Sequence, residues 1–258
     1  MADLSYTSYL QTETLLALQK TQIPETADRT VVLAEHFFIV AHQSCELWLK
    51  QTIADLNLVT ELLSTSPYRS TPAHRSANGY RPASPYPGGN GIEVSVELLQ
   101  RASELLRVLH EQVIVLERLQ LRHFVEFRPY LGTASGAQSD QFRVLGRLIG
   151  DNKRDGELYE AFVQSAAHHG HSVAEICRLG PDIGGLHRVA EALLDVGNGY
   201  WRWKVAHLGL MSRMVGGQEG TGGTTGEEFL MRRITLPFPE LRRLRGSLHA
   251  AELTSSPA

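Results

Sequence analysis

Residues 29–63 constrain the fold most. Phe38, Ala41, His42, Cys45 and Leu49 recur there at i, i+3, i+4, i+7 and i+11, which lays them along one inward face of a long helix. The same period returns over 93–121, where Val96, Leu99, Leu106, Leu109, Val113 and Leu116 mark a second apolar stripe. Pro129 and the Gly132–Gly136 segment interrupt it, and the period resumes near Gln138. Further helices are expected over 157–178 and about 187–215, and over 226–250 with a break at Pro237-Phe238-Pro239. A short N-terminal helix within 4–20 carries Leu10, Leu15, Leu16 and Leu18, with Tyr6 and Tyr9 placed before it. No strand alternation, Rossmann-type or Walker-type glycine pattern, or internal repeat is present. The fold expected is all-α, a single helical-bundle domain over 1–258 with cofactor and substrate sites between facing helices.

Residues 64–92 break the helical period. Five prolines and four glycines exclude a helix and mark a long surface excursion, a lid or an irregular loop. Residues 251–258 are expected to fray as a disordered tail. The chain of 258 residues is long enough for a substantial core. Its net charge of −3, with Lys and Arg scattered, argues against nucleic acid as a partner. No apolar run reaches the roughly 18 residues of a membrane span. The N-terminus lacks a basic region followed by an apolar core, and the two cysteines are isolated, so a reduced cytoplasm is the expected setting.

Two histidines stand out against that background. His207 lies near the end of the helix over 187–215, which Gly216-Gly217 closes, and the loop after it, Gly220 to Gly226, is dense in backbone donors and threonine hydroxyls. A helix-borne imidazole can ligate a metal or haem iron, and a Gly/Thr loop can wrap a small polar ligand. His42 sits among apolar neighbours, where a core histidine bonded to a nearby carbonyl is the usual arrangement; Glu46, one turn on, is another partner to consider. Arg128, between aromatic residues and a proline, is either a surface residue with a packed stem or a bidentate carboxylate clamp. His168, His169 and His171 invite a metal reading, but facing ligands on one helix need i, i+3 or i+4 separation, which these do not form as a set.

Three ordered blocks carry a resemblance: FFIVAHQSCELWLK (37–50), FVEFRPYLGTASGAQSDQFR (124–143) and WKVAHLGLMSRMVGGQEGTGGTTG (203–226). Together with YTSYL (6–10) they resemble the signature blocks of the tryptophan 2,3-dioxygenase superfamily of haem enzymes. The resemblance implies haem b as cofactor, with ferrous iron binding O₂ and His207 as its axial ligand. His42 matches the distal histidine facing the indole N–H, with Phe38 beside it. Arg128 matches the residue that binds the substrate carboxylate, and Thr221 matches its polar helper. Ser135, followed by Gly136, matches a serine segment near the haem. Tyr6, Tyr9 and Leu10 match residues that in relatives enter a neighbouring subunit's pocket, which implies a homo-oligomer, typically a tetramer.

The sequence departs from the family pattern at several places. Val113 stands where many relatives have tryptophan beside the haem, Phe124 where some bacterial relatives have tyrosine, and Ala137 where phenylalanine is usual. Lys204, Val205 and Ala206 replace a more basic run, 151–195 is shortened, and 64–92 is an insertion. Two reactions follow as expectations: ring-opening 2,3-dioxygenation of L-tryptophan or a substituted tryptophan to an N-formylkynurenine-type product, or insertion of one oxygen atom to give an oxindole, with an external reductant. A haem-binding protein without turnover is a third.

Overall fold

The computed structural model describes residues 4–64, 91–151, 153–218 and 230–255, with side chains of the last helix described to residue 249. The excursion around His74, the loop bearing Thr221 and the last three residues lie outside the described residues.

Among the described residues the fold is all-α, and the one β-bridge, between Gly150 and Asp155, closes a turn. Helices α1 (Tyr6–Leu10) and α2 (Thr12–Leu15) lead to the long α3 (Arg29–Ser64). Asp28 caps α3: its carboxylate accepts from the Thr30 amide at 2.7 Å. Next come α4 (Gly91–Leu116), α5 (Leu121–Phe127), α6 (Asp140–Ile149), α7 (Glu157–His168) and α8 (Val173–Leu179). Helix α9 (Gly185–Met214) and α10 (Pro239–Ser255) complete the order. None of the helices is long and apolar enough, among the described residues, to cross a membrane.

Helix α4 is the central strut, packed on α3 along one side and α9 along the other. Every residue of its expected stripe is buried. Gly199 permits the approach to α9: a Cβ there would stand 3.2 Å from that of Leu106. The larger of two apolar clusters fills the space among α3, α4, α6–α9 and α10. A smaller one gathers Ala41, Val113, Phe124, Phe127, Leu210 and Met214, with Phe38 packed against it. Trp203 touches both clusters.

Two buried carboxylates tie this frame together. Asp55, on α3, accepts a fork of hydrogen bonds from Arg101 on α4 at 2.7 and 2.8 Å. Glu35 is fully buried and accepts from the backbone amides of Gln22 and Ile23 at 2.9 and 3.0 Å. It thereby fastens the segment that precedes α3.

Several local expectations are corrected. Tyr6 and Tyr9 do not precede the first helix but form it: Ser5 caps α1 through a reciprocal Ser5–Ser8 pair. The helix expected over 157–178 is two helices, because Gly170 takes a positive φ of 80° and Ser172 starts α8 with a capping box. His168, His169 and His171 fall at that break, where His169 Nδ1 meets the Ser165 carbonyl at 2.8 Å. No group of three potential metal-ligating side chains forms among the described residues. Helix α4 ends at Leu116 rather than 121, and α10 runs to Ser255, beyond the expected end near 250.

Candidate functional site

The site lies where the smaller apolar cluster meets α3, α5 and α9. Residue spacing on α3 puts Phe38 and His42 one turn apart, with ring centroids 4.0 Å from each other. Phe38 also meets Phe127 (5.6 Å) and Phe124 (6.1 Å), whose rings pack edge to face at 5.4 Å. An aromatic wall thus lies against the imidazole.

His42 Nδ1 lies 2.7 Å from the Phe38 carbonyl. A carbonyl only accepts, so this bond places the proton on Nδ1 and leaves the Nε2 lone pair available. The partner is therefore Phe38 and not Glu46. The imidazole can be reached from the surface, yet protein encloses it enough that burial lowers its pKa; the bond to Phe38 and the charge of Glu46 act the other way.

His207 comes from α9, and its ring lies nearly parallel to that of Trp203, 13° apart with centroids at 5.3 Å. Phe142, on α6, stacks on the same indole at 4.5 Å. Burial is the main cause that brings the His207 pKa down to about 4, and the charge of His42 adds to it. Two residues far apart in sequence therefore lie near enough to sense each other. At neutral pH His207 is an uncharged imidazole, the form that ligates metals.

Arg128 follows Phe127 directly and opens a 3-10 turn, Arg128–Leu131. Its backbone is thus fixed to the aromatic wall. Ser135 caps the next turn, Gly136–Gln138, its hydroxyl oxygen accepting from the Ala137 amide at 3.4 Å. Gly136 is exposed there. The fold brings Phe38, His42, His207 and the start of the Arg128 turn to one region. It does not bring α1 there: Tyr6 and Tyr9 are 76% and 71% exposed, Leu10 is exposed too, and no hydrogen bond or ring contact among the described residues joins them to either histidine.

Sequence reading missed the second layer. Trp203 and Phe142 support His207, and Gln141 reaches Glu46 from α6. Cys45 Sγ donates to Gln112 Oε1 at 2.8 Å, and Gln112 in turn donates to Ser44 at 3.1 Å. The spacing of Trp203 and His207, one helical turn, was the available signal.

The family profile described as tryptophan 2,3-dioxygenase matches residues 1–75, 90–169 and 163–248. The chain belongs to the tryptophan 2,3-dioxygenase family. Among curated relatives, the tryptophan 2,3-dioxygenase of Anaeromyxobacter sp. (strain K) is 28% identical over 290 residues, covering 96% of this chain and 97% of the relative. Those of Saccharopolyspora erythraea and Caulobacter vibrioides are 27% and 26% identical, over 94% and 95% of this chain and 92% and 99% of their own. The match to the tryptophan 2,3-dioxygenase family thus runs nearly end to end. It covers both histidine helices and the Arg128 turn.

Proposed function

We propose that the chain is a haem-dependent oxygenase acting on the indole ring of L-tryptophan or a substituted tryptophan. The observation that carries this reading is the pairing of two histidines, His42 and His207, on separate helices in one apolar region, each held toward its neutral form by burial. A metal porphyrin needs such a setting: apolar walls for the macrocycle and an uncharged axial nitrogen. The chemistry of the donors fits. His207 carries the lowered pKa and no hydrogen bond to its ring nitrogens among the described residues, so a lone pair is available for iron. When bound, the haem would supply O₂ binding and oxygen transfer to carbon.

The protein's part is placement. Arg128 would take the amino-acid carboxylate as a two-pronged ion pair, with Thr221 as its helper. His42 Nε2 would accept the indole N–H, because Nδ1 is already committed to Phe38. Phe38 and its aromatic neighbours would exclude water from the ring. Ser135, with Gly136, would line the haem side of the same region. Tyr6, Tyr9 and Leu10, exposed on α1, would enter a second copy's site in a homo-oligomer, typically a tetramer.

The reaction we assign is 2,3-dioxygenation with ring opening. A single-oxygen insertion into a methyl-substituted tryptophan, in which an external reductant takes the second oxygen atom to water, is the second reading, and Val113 favours it. It is buried in the cluster beside Phe124 at a place where the family pattern has tryptophan, so the pocket differs next to the haem position. Ferrous protein given tryptophan and methyl-substituted tryptophans under ¹⁸O₂, with and without an external reductant, decides between them by product mass. Two labelled atoms establish the dioxygenase and one establishes the monooxygenase. A Soret band perturbed by substrate with no oxygen consumed would reject both and leave a haem-binding protein.

A further inference from the structure

Glu46 lies one turn beyond His42 on α3, the spacing at which side chains on a helix are neighbours. It is held from a different helix. Gln141, on α6, donates through Nε2 to the Glu46 backbone carbonyl at 2.6 Å and to its Oε2 at 2.8 Å. One amide group thus grips both the main chain and the carboxylate of a single residue, across 95 positions of sequence. No hydrogen bond occupies Oε1 among the described residues.

The other groups around His42 cannot substitute for this charge. Cys45 is adjacent, but burial holds its thiol up at about 11, so it stays neutral. Gln112 and Gln141, which reach this stretch from α4 and α6, are uncharged. His207, from α9, is uncharged at neutral pH and supplies no charge either. Among the described residues, Glu46 is the anion whose charge acts on the imidazole.

We propose that Glu46, held by Gln141, is a positioning residue that acts on His42 through charge: its carboxylate balances the imidazole whenever Nε2 takes the proton of the substrate's indole N–H. That proton leaves the indole nitrogen for Nε2, while Nδ1 keeps its own proton on the Phe38 carbonyl. The imidazolium later returns it to product or solvent. The proposal rests on the indole-oxygenase reading above for its role, but its electrostatic content does not need the reaction.

The test uses the full chain, haem-reconstituted and ferrous, as its CO complex without substrate. The infrared C–O stretch followed against pH reports the distal imidazole, and His42→Ala, which removes the imidazole, identifies its step. Glu46→Gln keeps the shape and an acceptor oxygen for Gln141 but removes the charge. The His42 midpoint should fall by about half a pH unit or more. Gln141→Leu should move it in the same direction by less. An unchanged midpoint in Glu46→Gln overturns the proposal, and an unchanged midpoint in Gln141→Leu overturns the holding role. If the chain takes up no haem, the haem reading fails separately, and the His42 ring signals in NMR of the chain as purified give the same midpoint.

Discussion

Trp203 and His207 are stacked one helical turn apart on α9, with ring planes 13° from parallel. The indole is itself stacked on Phe142, so the imidazole rests on a rigid two-ring support. A ring held in this way loses little further freedom when it ligates a metal. His207→Ala should abolish stable haem binding, visible as loss of the Soret band in reconstituted protein. Trp203→Ala should retain haem but speed its loss to an acceptor apoprotein several-fold to about tenfold, the value of one aromatic contact.

The lowered pKa of His207 has a consequence for the chain without haem. Folded His207 binds a proton with a pKa of about 4, against 6.5 for an ordinary histidine. Between those values the unfolded chain takes up a proton that the folded chain refuses. Stability is therefore undiminished above about pH 6.5, declines as pH falls through the window and levels off below about 4. The full loss is on the order of 3 kcal/mol. Denaturant melts at pH 7 and pH 5 should diverge less for His207→Leu than for the natural chain.

Arg128 is predicted to act on binding more than on chemistry. Arg128→Ala should raise KM for tryptophan by about 10- to 100-fold with a much smaller change in kcat, the cost of a charge-assisted bond. Tryptamine, which has no carboxylate, should lose little on the same substitution. Equal losses for both substrates would remove the clamp.

Glu35 should govern the N-terminal segment. Its two carboxylate oxygens serve two backbone amides, so Glu35→Gln would turn an NH₂ group toward one of those donors. We expect a stability loss of about 1–3 kcal/mol. Protease cleavage before residue 29 should accelerate in the variant, read by mass spectrometry of the fragments.

Helical content and the inward face of α4 were legible from spacing alone, whereas on the face expected for α3 Ala41 and Leu49 are buried but His42 is exposed. The α4 stripe is buried at every residue named for it, because one period determines both secondary structure and burial. Boundaries were less so. Gly170 ends α7 through a positive φ, and a serine capping box restarts the chain two residues later, a local event that periodicity averages away. A bond from His42 to a nearby carbonyl was expected, but that the carbonyl is Phe38's is a backbone detail that side-chain pattern does not show. The Gln141 grip on Glu46 was hidden for another reason. It joins residues 95 apart, and a single glutamine in the first turn of a helix has no sequence signature.

Adjacent residues of α6 point this molecule's logic in two directions. Gln141 grasps the helix bearing His42, and Phe142 lies against the indole that supports His207. The two imidazole-bearing helices are thus both braced by a short helix that supplies neither imidazole. A change in the length of the Gly132–Gln138 connection would shift that brace, altering the surroundings of both imidazoles at once while leaving both side chains unchanged.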